Sequence, residues 1–265
     1  MKKNLLLLAG LGLLLPGCTT PKSDANFAAA TPASVAVLRV GVTPNMPPMI
    51  YLQNGEYHGM DADLARQFAA TLGKTVQFVN VPWTEQIDAL LAGRTDIIIS
   101  SMSVTAARAM RISFTDSYLR SGQTALVRRK DANSIQFELY GRKYRVGAQR
   151  GTTGEYFVQS QLPRSDLKLY RDARDGAEAL LGGVLGPDID VFVNDAPMNW
   201  YLASEYEDRG LTVLPMMLTE EYLAWGVGRN DLVLRDAANR FIAGIKADGK
   251  LQALIKRWLP LATAQ

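Results

Sequence analysis

One ten-residue stretch gathers side chains of the kinds that can hold a small anion: Ile99-Ser100-Ser101-Met102-Ser103-Val104-Thr105-Ala106-Ala107-Arg108. Three isoleucines in a row predict a buried strand, hydroxyls cluster where it ends, and Thr105 is placed to cap a short helix carrying Arg108. A guanidinium fork matches the two oxygens of a carboxylate, which a lysine cannot copy. A plain cap with Arg108 in a surface ion pair fits the same letters. A second stretch, Gln149-Arg150-Gly151-Thr152-Thr153-Gly154, joins a strand to a helix and exposes backbone N–H groups suited to an anion, or simply turns the chain. A third, Asn194-Asp195, ends the stretch Ile189–Val193, which reads as a buried strand. Its carboxylate suits an ammonium, or the cap of a helix after Pro197. Set opposite Arg108, Asp195 would read the other end of a zwitterion.

Other chemistries find little material. His58 is the only histidine and Cys18 the only cysteine, so no Ser-His-Asp triad, Cys-His pair, disulfide or His-rich metal cluster can be assembled. His58 lies in the turn-rich Asn54–Gly59 and reads as a surface residue. No phosphate-binding glycine motif occurs. Carboxylate-only acid–base catalysis leaves no spacing signature and stays open.

Elements must carry these residues. Met1-Lys2-Lys3, the leucine-rich Leu5–Leu15 and Pro16-Gly17 predict a signal peptide over 1–17, too short to span a bilayer comfortably. Without Lys2 and Lys3 the chain has 27 basic and 26 acidic residues, which gives no electrostatic case for nucleic acid. Residues 18–37, rich in Ala, Thr, Ser and Pro, read as a flexible tether. Strands over 38–42, 76–81 and 96–100 then alternate with helices over 61–72 and 84–91. A second series places strands at 144–148, 167–170 and 189–193 and helices at 155–161 and 174–182. Helix 231–247 and a last short helix close the chain. The fold class is α/β, with two lobes built from βαβ units.

In order and spacing, several motifs resemble the family-3 extracellular solute-binding proteins of bacterial ABC transporters, the polar amino acid type. They are Leu38-Arg39-Val40-Gly41-Val42, Gly59-Met60-Asp61-Ala62-Asp63-Leu64-Ala65, Ser103–Arg108, Phe114-Thr115-Asp116-Ser117-Tyr118, Gly151–Gly154, Asn194-Asp195, Glu221-Tyr222 and Lys246-Ala247-Asp248-Gly249. The resemblance implies a type II periplasmic-binding-protein fold, each lobe a mostly parallel sheet flanked by helices. Lobe 1 would hold 38–126 and 226–265 and lobe 2 would hold 127–225, joined by crossing strands near 124–128 and 222–227. It implies Arg108 as the clamp on a ligand carboxylate, helped by Ser103 and Thr153. Ser101 and Asp195 would hold an ammonium, with Trp83, Met46 and Tyr51 along the side chain. Asp61, Asp63 and Asp96 are helix-start and turn residues in this reading. Thr43 and Gln149 stand where relatives often carry charge, which favours a neutral or fairly apolar amino acid. Leu15-Pro16-Gly17-Cys18 resembles a lipoprotein cleavage box, implying an exported monomer anchored through Cys18 and serving an ABC permease, without cofactor or metal. The alternatives are a cyclohexadienyl dehydratase-like enzyme, for which no acid follows Asp195 over 196–199, and a sensor without a transport role.

Overall fold

Runs of β-branched residues build two five-stranded sheets in the computed structural model, which describes residues 36–182 and 186–264. In the first, Val37–Val42 lies between Thr75–Asn80 and Ile97–Ile98, parallel to both, and Gly226–Val227 joins Ile97–Ile98 to Ser113–Phe114 in the opposite direction. In the second, Arg145–Gln149 lies between Asp166–Tyr170 and Val191–Asp195, again parallel. Gln123–Arg128 and Leu211–Val213 complete that sheet.

Alternation along the strands divides the side chains between two apolar layers. Ile97 and Ile99 face helix Met60–Thr71 and helix Leu232–Ala247, where Phe68, Trp225 and Phe241 meet with ring centres 5.3–5.8 Å apart. Ile98 faces the other way, toward Leu90 and Ile112. In the second sheet Val191 and Val193 pack with Phe157 and Leu162, while Phe192 packs with Ala177 and Leu180. The Phe192 ring lies so close to helix Ala173–Leu181 that a Cβ on Gly176 would sit 2.1 Å from it.

The two sheets repeat a device that no obvious sequence repeat announces. Arg39 and Arg145 each lie on the central strand of their sheet's parallel trio, in the same triplet Arg-Val-Gly. Each pairs with an aspartate just before the third strand, Arg39 Nη2 to Asp96 Oδ1 at 2.5 Å and Arg145 Nη2 to Asp190 Oδ1 at 2.6 Å. The arginine's backbone N–H also donates to that carboxylate, and the aspartate's N–H donates back to the arginine's carbonyl oxygen, at 2.8 Å in both lobes. Burial pushes both carboxyls up, but the arginine bonds outweigh it and hold them below the ordinary value.

The chain passes between the sheets at Leu119–Ser121 and returns at Glu221–Leu223, two short strands paired antiparallel. This differs from crossings near 124–128 and 222–227. Gln123–Arg128 is paired on both edges within the second sheet, and Ala125, Leu126 and Val127 are fully buried there. Trp225 belongs to the first lobe's core. An apolar run of this length reads equally as a crossing strand or a sheet interior; only its partners decide. The segment 84–91 also differs: its first turn, Trp83–Glu85, is a 3-10 turn, and the α-helix spans Gln86–Leu91. The signal, Cys18, the tether up to residue 35 and residues 183–185 lie outside the described residues, whereas Val37, read as the end of the tether, opens the first strand by pairing with Thr75.

Candidate functional site

The anion-suited stretches come to the carboxyl ends of parallel strands, where open α/β sheets place their ligands. In the first lobe, the chain leaving Ile97–Ile98 runs through Ser101, whose φ is +52°, to helix Ala106–Ala109. Thr105 caps this helix by accepting from Arg108 N–H at 3.2 Å. In the second lobe, Arg145–Gln149 leads through Gly151 to helix Thr153–Gln161, capped by Thr152. Asp195 ends its strand and starts helix Ala196–Glu205, yet makes no cap bond. Its carboxylate is left for the cleft.

Arg108 is half-buried and is not held in a surface ion pair. Its Nη1 donates to Ser103 O at 2.9 Å and its Nη2 crosses to Gly151 O of the second lobe at 3.2 Å. The guanidinium lies 5.1 Å from the Trp83 ring centre, and Trp83 Nε1 donates to the same Gly151 O at 2.9 Å. Burial lowers the arginine's pKa, while Asp195 and Glu221 pull it back up.

A second cluster surrounds two carboxylates. Glu221, on a crossing strand, accepts at Oε2 from Ser103 Oγ at 2.5 Å and Thr153 Oγ1 at 2.8 Å, and at Oε1 from Thr219 Oγ1 at 2.9 Å. Gln123 Nε2 donates to Thr153 Oγ1 at 2.9 Å and to Asp195 Oδ1. Burial, then the negative charge of Glu221, pushes the Asp195 carboxyl up to about 7, against the Gln123 bond and the attraction of Arg108. Two acids and one guanidinium thus share a water-poor space, where their charges act strongly on each other.

Ser101 is held from behind. Its N–H and Oγ donate to Asp61 Oδ2 at 2.7 and 2.9 Å, and Tyr118 OH donates to Asp61 Oδ1 at 2.7 Å. With its proton spent on Asp61, the Ser101 oxygen is left as an acceptor, the polarity an ammonium needs. Burial pushes the Asp61 carboxyl up to about 6, opposed by these bonds.

Met46, Ser101, Gln149, Asp195 and Met198 line a cavity between the lobes. It holds about 10 Å³ of free space as closed here, room for a single water and not for an amino acid. The structure therefore gathers Arg108, Ser103, Thr153 and Trp83 on one side, and Asp195, Ser101 and Met46 on the other. Tyr51 is engaged elsewhere, stacked on His58 at 5.8 Å and edge-on to Trp258 at 6.4 Å. In its strand Ile50 turns into the core, so Tyr51 must face the other way. Thr43 is likewise committed, donating to Val81 O and accepting from Gln86. Sequence reasoning missed Glu221 and Gln123 as members of the site and Asp61 as the group that orients Ser101. Gln123 and Glu221 each start a strand and Asp61 sits in the first turn of a helix, positions that carry no local sign of a shared site. Among the described residues no group of three or more His, Cys, Asp or Glu is placed to hold a metal, and no helix is long and apolar enough to cross a membrane.

Over most of its length the chain is similar to known proteins. The histidine-binding periplasmic protein of Escherichia coli (strain K12) is 28% identical over 243 residues, 88% of this chain and 92% of that one. The crystal structure of an ancestral amino acid-binding protein, a precursor of cyclohexadienyl dehydratase, superposes with a TM-score of 0.75 at 30% identity, covering 84% of this chain and 95% of that chain. The putative binding component of an ABC transporter from Wolinella succinogenes, complexed with lysine, gives 0.76 at 29% identity, covering 84% and 95%. These neighbours share the two-lobe type II periplasmic-binding-protein fold. The family model for bacterial extracellular solute-binding proteins, family 3, matches residues 38–261, the whole of both lobes, and this chain belongs to that family.

Proposed function

We propose that this chain closes its two lobes on a single amino acid and presents it to the permease of an ABC importer. The observation that carries the reading is the convergence of Arg108 and Asp195, from opposite lobes, on one buried cleft where each makes itself felt in the other's ionisation. Arg108 takes the carboxylate, with Ser103 and Thr153 turning their hydroxyls to it. Asp195 and the Ser101 oxygen take the ammonium. Trp83 and Met46 border the side chain. A ligand bridging both lobes favours the closed molecule over the open one. The first lobe holds the two ends of the folded chain and the second its middle, with the short strands at 119–121 and 221–223 as the hinge.

The test is a thermal-shift screen of the protein against the amino acids. A ligand present at about 100 times its dissociation constant stabilises by about 2.7 kcal/mol, a shift easily read. No shift with any amino acid would overturn the reading.

A second reading draws on the Asp195 carboxyl near 7 and on the likeness to a dehydratase precursor: a proton donor in a closed cleft. Against it, helix Ala196–Glu205 brings no further acid in its first turn. Formation of phenylpyruvate from prephenate by the purified protein decides for it, and its absence against.

The export reading completes the proposal: residues 1–17 are removed, Cys18 carries lipid, and a tether over 18–37 holds the lobes off the membrane as a monomer.

A further inference from the structure

The hydroxyls assigned to the ligand carboxylate are already in use. Ser103 Oγ, from the first lobe, and Thr153 Oγ1, from the second, both donate to one oxygen of Glu221, at 2.5 and 2.8 Å. Thr219 fixes the other oxygen at 2.9 Å. Glu221 lies on the crossing strand Glu221–Leu223, so its side chain reaches the seam from the hinge itself. Its neighbour Glu220 points outward, pairing with Arg120 at 2.9 Å, as strand alternation requires. Arg108, meanwhile, is satisfied by two backbone carbonyls and makes no direct bond to Glu221. The result is a carboxylate seated on two hydroxyls beside a guanidinium, the surroundings a ligand carboxylate would seek.

We propose that Glu221 is an internal occupant of the carboxylate site, bridging Ser103 and Thr153 to hold the cleft closed without ligand until a ligand carboxylate displaces it. This rests on the amino acid reading above for its ligand, but not for its latch. Two like charges cannot share that hydroxyl pair, so the ligand gains Ser103 and Thr153 only by turning Glu221 out. Glu221 thereby sets the affinity threshold. A ligand with a carboxylate and an ammonium recovers the displaced bonds and also engages Asp195; a carboxylate alone recovers only the former. The latch selects zwitterions over simple carboxylates.

The experiment has two readouts on wild type, Glu221→Gln, Glu221→Ala and Glu221→Asp. Small-angle scattering of ligand-free protein is expected to find wild type compact and the Ala and Asp variants expanded, since neither side chain can span both hydroxyls. Calorimetry with the amino acid found in the screen is expected to give Kd values about tenfold tighter in Glu221→Gln and Glu221→Ala, a charged hydrogen bond no longer having to be displaced. Retention of wild-type affinity in Glu221→Asp, or weaker binding in the Gln and Ala variants, would overturn the displacement. A wild-type profile that matches Glu221→Ala would overturn the latch. Should no form bind any amino acid, the transport reading fails, and scattering still decides the latch. Circular dichroism of each variant separates a misfolded chain from an opened one.

Discussion

In the proposed site Arg108 and Asp195 divide the labour of recognition by charge, and each can be interrogated alone. Replacing Arg108 with Ala strands a ligand carboxylate in the cleft and is expected to weaken binding by about 2–5 kcal/mol in calorimetry. Lysine in its place is expected to fall well short of wild type, since it cannot reach Ser103 O and Gly151 O together from one planar group. Asp195 governs the response to pH. The groups around it are Gln123 and Thr153 in its own lobe, Arg108 and Tyr118 across the cleft, and Glu221 on the hinge. Its carboxyl rises from 3.8 to about 7, so the ligand-free fold prefers it protonated. Its contribution to stability is full below about pH 4 and is lost as pH rises to about 7. Binding of an ammonium has the opposite dependence, because the ligand must first expel that proton. Affinity is expected to fall by up to about tenfold per pH unit below 7, and Asp195→Asn to flatten the profile. Both residues were legible in the sequence because strand-end positions in an alternating α/β chain point at a common edge. Glu221 was not, since nothing local tells which of two consecutive acids, Glu220 or Glu221, turns inward. That depends on the pairing of residues a hundred positions apart.

Short elements are fixed here by what stands beside them. Thr105 and Thr152 cap helices in corresponding places in the two lobes, and both caps were readable as a hydroxyl ahead of a helix start. Asp195 looked like a third cap and is not one, because Gln123 on the neighbouring strand engages its carboxylate first. The boundaries of helices 60–71, 232–247 and 250–258 fell within a residue or two of the periodicity in their apolar side chains. The strand 123–128 was misjudged because three consecutive apolar residues carry no period. Gly176 exposes the tightest packing between a helix and its sheet. An added methyl would meet the Phe192 ring at 2.1 Å. Gly176→Ala is expected to lower stability by about 1–3 kcal/mol in urea unfolding, despite the better helix propensity of alanine.

At the scale of the molecule, the Arg-Val-Gly triplet and its aspartate partner recur in each lobe, so two halves of unlike sequence anchor their sheets the same way. The repeat is three residues long and escapes notice until the ion pairs reveal it. Two lobes were foreseen from two βαβ series, whereas the place where the chain crosses was not. The proposed export path has its own test. Cys18→Ala is expected to release the protein from the membrane fraction into the soluble one, as followed by immunoblot of fractionated cells. An unchanged distribution would rule out the anchor.

Gly151 offers one carbonyl oxygen to two donors from the opposite lobe, Arg108 and the indole of Trp83. Any parting of the lobes strips that indole of its partner and admits solvent to its ring. Trp225, by contrast, is sealed in the first lobe's core, indifferent to the hinge. An emission probe thus stands at the seam itself, and the proposed opening can be timed in a fluorimeter without attaching a dye.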